Sequence, residues 1–422
     1  MTKACYVGVA GKARKVKKIY TGVANKARKV KNGYVGVGGK ARPFFSAEQK
    51  LEYYGTVTPL SEAKRAIAAT TVGNYALFAG GTFRDFTKTS LVNAYSTSLV
   101  RSTPTALRVA RGSLAATTVG NYALFGGGMT NSSNNPTSQV DAYSASLVRS
   151  TTTDLSNASY SLAATTVGNY ALFGGGYARN ANPSYLQAVT AYNASLVRSI
   201  VAPLAVERRS LAATTAGDYA LFAGGYNYFD GEYTNWEQVD SYSASLVRGG
   251  PTPMLVGRGD LAATTLRKIA LFAGGYATGT GEYFHSVDAY DASLVRSSPD
   301  YLGYPRGYLA ATTVGNYALF GGGSSSTAEK IVDVYNASYV RSTATPLSIK
   351  RAGLAATTVG NYALFGGGGY DETDLATVDA YTADGGDSKP SNPDPDPDPD
   401  GPEDLKPKPG GHVPDKVRGD DE

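Results

Sequence analysis

One cysteine, two histidines, three methionines and one tryptophan among 422 residues leave most catalytic toolkits without their parts. The lone Cys5 can build neither a disulfide framework nor a cysteine zinc site. With only His285 and His412, His-ligated metals and His-dependent acid–base chemistry are short of groups. No apolar run approaches the roughly 18 residues that a membrane helix requires. The first residues also lack the apolar core of a secretory signal, because Gly8, Gly11, Lys12 and Arg14 interrupt it. Charged residues are scarce at 18%, whereas 50 Gly and 31 Tyr point to short strands joined by tight turns.

The net charge of +5 conceals three regions. Residues 1–45 carry +12, residues 46–383 balance 23 bases against 23 acids, and residues 384–422 carry −7. The basic character therefore belongs to one arm and not to the body.

A string close to LAATTVGNYALFGGG occurs seven times, with its Phe at positions 78, 125, 173, 222, 272, 320 and 365. A second string, close to VDAYSASLVRS, follows each copy and places Tyr at 95, 143, 192, 242, 290, 335 and 381. Each unit reads as four strands. In the second unit, residues 114–119 form the first, Gly120-Asn121 turns, residues 122–125 form the second, and Gly126-Gly127-Gly128 ends it. Residues 140–143 form the third, Ser144-Ala145-Ser146 turns, and Leu147-Val148-Arg149 starts the fourth. Small Ala-Ala-Thr-Thr segments suit innermost strands converging on an axis, and four strands in about 48 residues match a propeller blade.

These residues resemble the kelch-repeat propellers, of the kind in the galactose-oxidase central domain, whose blades share an apolar strand ending in Gly-Gly and a following strand carrying Tyr. The resemblance implies an all-β, seven-bladed propeller over residues 46–384. It departs from the kelch pattern at the fourth strand, where Val148-Arg149 stands in place of the usual Trp. The seventh unit lacks a fourth strand of its own. A slide of 47 residues lays Leu51-Glu52-Tyr53-Tyr54-Gly55 over Ser98-Leu99-Val100-Arg101-Ser102 and Leu60 over Leu107, so residues 50–57 are expected to close the ring.

Residues 1–45 repeat with period 14 (Tyr6, Tyr20, Tyr34; Lys12-Ala13-Arg14, Lys26-Ala27-Arg28, Lys40-Ala41-Arg42) and read as short β-hairpins. This arm resembles the basic repeats of phage and prophage tail-associated proteins of Gram-positive bacteria, which implies attachment to an assembly partner. Residues 385–422, rich in Pro and Asp, are expected to be disordered.

Two faces follow from this topology. One carries nearly identical turns; the other carries the loops in which the units diverge and the connections between blades, and there a ligand is expected. Aromatics gather on it, including Tyr177, Tyr185 and Tyr308. The candidate ligand-binding residues are Tyr226, Tyr228, Phe229, Asp230, Glu232, Tyr233, Trp236, Tyr283, His285, Tyr301, Tyr304 and Arg306. Aromatic rings beside polar groups suit a sugar. The repeated Arg101, Arg149, Arg198, Arg248, Arg296 and Arg341 are expected to be structural. Gly-Gly-Gly precedes no helix and no Lys-Thr/Ser, so phosphate-loop chemistry is not expected, and no cofactor or metal is implied. Nucleic acid is not the expected partner of the arm.

The leading expectation is a non-enzymatic binding propeller: a phage or prophage tail-associated adhesin, in a virion, that recognises a cell-surface carbohydrate or protein. The alternative is a bacterial cytoplasmic kelch-type interaction scaffold, and a polysaccharide-active enzyme using acids such as Asp230 and Glu232 ranks below both.

Overall fold

The Ala-Ala-Thr-Thr strings are the innermost strands of seven four-stranded antiparallel sheets arranged about one axis, a seven-bladed β-propeller. The computed structural model describes residues 50–131, 135–179 and 181–383, together with the backbone of six strands between residues 6 and 46. The expected disordered tail lies outside the described residues. In the second blade, strands Ala115–Val119, Tyr122–Gly126, Val140–Ser144 and Arg149–Thr151 pair in sequence order, and the first and third to sixth blades repeat that order.

Each blade packs on the next through one hydrophobic cluster, giving seven clusters for seven junctions. At the first junction, Leu77, Ala79, Val92 and Ala94 receive Phe125 and Tyr143 of the following blade. Within every blade the second-strand Phe meets the third-strand Tyr edge-on, at 5.8–6.0 Å between ring centroids. The Tyr hydroxyl donates to a carbonyl of the incoming connector, as Tyr143 does to Thr105 at 2.7 Å, so a fully buried ring keeps its polar atom satisfied. Gly126 is small for a reason: a Cβ there would lie 2.8 Å from the Phe173 ring.

Around the axis, inner-strand threonines bond from blade to blade. Thr118 donates to the Thr71 carbonyl at 2.5 Å, and Thr265 to that of Thr215 at 2.6 Å. On the face of the variable loops, a ring of seven backbone hydrogen bonds of 2.9–3.0 Å joins Ala66, Ser113, Ser161, Ser210, Asp260, Tyr308 and Gly353 in turn and returns to Ala66. All seven residues have left-handed backbones, with φ between 51° and 64°. The closed ring offsets a conformation that costs L-residues about 1 kcal/mol or more.

The ring closes as expected. Glu52–Val57 pairs with Val378–Thr382 as the outer strand of the seventh blade, with Gly55 opposite Ala380. A β-bulge then places Tyr53, and not Tyr54, opposite Tyr381. Tyr53 there occupies the register of a fourth-strand arginine and donates to Asp379 at 2.6 Å. One expectation needs correcting: the third-to-fourth turn extends through Leu147, which has φ +61°, and the fourth strand begins at Arg149. The turn bonds Leu147 N to the Ser144 carbonyl, and the Leu side chain packs against the junction cluster.

In the arm, Tyr6–Val9 pairs with Lys12–Lys15, Ile19–Val23 with Lys26–Val30, and Asn32–Val37 with Lys40–Ser46. The period of 14 becomes three hairpins in one register, with Gly8, Gly22 and Gly36 opposite Ala13, Ala27 and Ala41.

Candidate functional site

Each connector enters its blade with three consecutive residues of different fate. The first is buried: Lys64, Arg111, Ser159, Arg208, Arg258, Arg306 and Arg351. The second pairs with the start of the variable loop of the same blade: Arg65, Gly112, Tyr160, Arg209, Gly259, Gly307 and Ala352. The third belongs to the backbone ring.

The five buried arginines each meet a third-strand aspartate. Arg208 lies 2.8 Å from Asp240, Arg258 2.8 Å from Asp288, and Arg306 2.7 Å from Asp333, with both partners inaccessible to solvent. The other carboxylate oxygen takes the fourth-strand arginine, as with Arg248 and Asp240 at 2.6 Å. The fourth-strand arginines thus pair within a blade or with connector carbonyls. Arg306 was a candidate ligand-binding residue; it is instead fully buried, donating to Asp333 and to the carbonyls of Phe320 and Gly322, and does not reach the face.

The blades without this ion pair change both partners. The third blade has Ser159 and Thr190, and the first has Lys64 and Asn93. Lys64 donates to the Leu91 carbonyl, and burial pushes its ammonium down to about 8.

The variable face carries a depression of about 860 Å³ formed by the first four blades. On its lining, Arg209 is enclosed by tyrosines. Its Nε donates to the Tyr226 hydroxyl at 3.0 Å and an Nη to that of Tyr160 at 3.3 Å. The guanidinium carbon lies 4.7–5.9 Å from the ring centroids of Tyr160, Tyr177, Tyr185 and Tyr226. Burial pushes the Tyr185 phenol up to about 12, so this ring stays protonated at neutral pH.

One wall is a hairpin, Tyr226–Phe229 with Glu232–Asn235, that turns at Asp230-Gly231, both of positive φ. Asn235 braces it against the fifth blade through two 2.9 Å bonds with Thr278. Tyr228 and Tyr233 stand opposite each other across the hairpin, with ring centroids 4.7 Å apart. They and Phe229 are exposed and line the depression, whereas Tyr226 is buried and serves by holding Arg209.

The remaining candidates lie apart from the depression. Asp230 and Glu232 are exposed at the hairpin tip. Trp236 is half-buried at the hairpin base, its backbone N–H bonded to the Gly225 carbonyl and its indole N–H without a partner among the described residues. Tyr283 packs at a tilt against Tyr276, and His285 against Tyr301 at 4.8 Å, on the fifth blade and its outgoing connector, where Tyr304 is exposed. Arg65, Phe86, Lys88, Tyr160, Arg179 and Arg209 also line the depression but were not among the candidates. The signal for Arg209 and Arg65 was their position, one residue past the buried connector residue.

At the axis, the Asp260 carboxylate accepts from the Ser210 and Tyr308 side chains. Burial outweighs these bonds and pushes its carboxyl up to about 6.

No protein-family model matches the chain, and no curated protein matches it. Among solved structures, the structure of YjhT is similar, with a TM-score of 0.53 and 11% identity over 68% of this chain and 99% of that one. Such a likeness shows the fold alone. A propeller of this kind suits a binding or scaffold role in general.

Proposed function

We propose that this chain is a non-enzymatic, kelch-like binding propeller that takes a cell-surface carbohydrate or protein in the depression on its variable face. The observation that carries this reading is the cluster of exposed Tyr228, Phe229 and Tyr233 beside the caged Arg209, in a depression sized for a small ligand. Rings of this kind stack on the apolar faces of pyranoses, while guanidinium and phenol groups bond hydroxyls. The three basic hairpins of the arm support attachment to a larger assembly, and with the tail-protein resemblance they make a phage or prophage tail adhesin, carried in the virion, the most concrete form of the reading.

The test is binding of the full chain to Gram-positive cells and to their purified wall polysaccharides, beside Tyr228→Ala/Tyr233→Ala. Saturable binding that falls tenfold or more in the variant is expected. Equal binding by the variant would move the site off this face, and capture of a protein in place of a glycan would turn the reading toward an interaction scaffold.

A further inference from the structure

We infer that the ligand of the depression is anionic: a saccharide whose carboxylate or phosphate is taken by Arg209. The inference rests on the binding-face reading and narrows its ligand. Arg208 and Arg209 are adjacent and differ in one respect. Arg208 has its charge matched by Asp240 at 2.8 Å. Arg209 is half-buried and, among the described residues, has no carboxylate within ion-pair distance. Asp260 on the axial ring influences it only at longer range and is engaged by Ser210 and Tyr308.

The rings around Arg209 stabilise a cation through their faces, which leaves the edge of the guanidinium for hydrogen bonds. A guanidinium has five N–H donors, and the phenols of Tyr226 and Tyr160 accept from two of them. The tyrosines therefore orient the fork without neutralising it. A partly desolvated cation held in one orientation suits an oxyanion, which can accept two parallel bonds at once.

The surroundings point the same way. Arg65, Lys88 and Arg179 also line the depression, against the single carboxylate of Glu207, in a body whose charges balance as a whole. Asp374 already matches Arg65 at 2.5 Å, and Lys88 donates to the Phe86 carbonyl, so these two set the field more than the fork. Tyr228 and Tyr233 supply the stacking surface beside the fork. A neutral sugar would leave Arg209 without a counter-ion, and a free inorganic anion would leave the rings uncovered.

Titration calorimetry of the full chain with trigalacturonate, its neutral methyl ester and a galactose oligomer carrying a phosphomonoester tests this. At least one of the acidic oligomers should bind tenfold or more tighter than the ester, with an affinity that falls as salt rises; which of the two binds identifies the oxyanion. Arg209→Lys keeps the charge and loses the fork, so it should lose tenfold or more while its thermal midpoint stays near that of the parent. Arg209→Met should lose more. Equal affinity for ester and acid, or full affinity in Arg209→Lys, would overturn the inference. If wall glycans still need Tyr228 and Tyr233 in that case, the binding-face reading stands without it. Failure of every oligomer and every wall glycan to bind the folded chain would overturn both.

Discussion

Arg208 and Arg209 are neighbours in the chain and belong to different regions, the sealed interior of the fourth blade and the open depression above it. In the interior a charge is present with its partner or both are replaced: Arg with Asp in five blades, Ser159 with Thr190 in the third. Lys64 with Asn93 is the intermediate case, a buried cation left with an amide and a carbonyl nearby. At the next position the blades vary one at a time, from Gly112 to Tyr160 to Arg209, because solvent or a ligand can complete what the chain leaves unpaired. Desolvation imposes correlated change inside, and its relief outside permits independent change.

The largest effect should come from breaking an interior pair. Asp240→Asn leaves Arg208 and Arg248 without their carboxylate and should cost about 3–5 kcal/mol in urea unfolding. Arg208→Ser with Asp240→Thr, which copies the third blade, should cost less than Asp240→Asn alone. An equal or greater loss would show that the pairs are not exchanged as units.

Asp260, on the axial ring, should show a pH signature. Its folded pKa is raised to about 6, so across the window from about 4 to 6 the unfolded chain holds fewer protons and stability falls as pH rises. Asp260→Asn should remove that fall, worth about 1–2 kcal/mol once partial exposure is allowed for.

Lys64 works in the opposite direction. Its folded pKa is lowered to about 8, so the unfolded chain holds more protons above that value and stability rises with pH between about 8 and 10. Lys64→Met should flatten the rise and stabilise the protein by about 1 kcal/mol at pH 7, as measured by unfolding at several pH values. The smallest effect belongs to the depression: Phe229→Ser, at a side chain 75% exposed, should change stability by no more than about 0.5 kcal/mol.

Much of the architecture was legible because it is written in repeats. The four-strand unit, the small inner strands and the closing strand Glu52–Val57 all follow from residues that recur at the same place in each unit. The face that carries the depression was legible too, since loops that differ on a repeated scaffold stand out. Its membership was less so. Tyr228, Phe229 and Tyr233 lie in the depression, whereas His285 and Tyr301 pack against each other outside it. Arg306 looked like Arg209, a basic residue in an aromatic-rich connector, and only its contact with Asp333, 27 residues on, reveals it as buried.

The sequence by itself determined the seven units and their strand order, because pairing within six of the blades joins segments close in the chain and marked by alternation and glycine, and it gave away the closing strand only through the likeness of residues 51–55 to the fourth strand of the first unit. The tertiary structure alone decided which of two adjacent arginines is matched by a buried aspartate and which, among the described residues, has tyrosines around it and no carboxylate at ion-pair distance. Packing of the third blade on the fourth brings Tyr160, Tyr177 and Tyr185 of the one and Tyr226 of the other around one guanidinium. That convergence about an axis leaves no periodic mark along the chain.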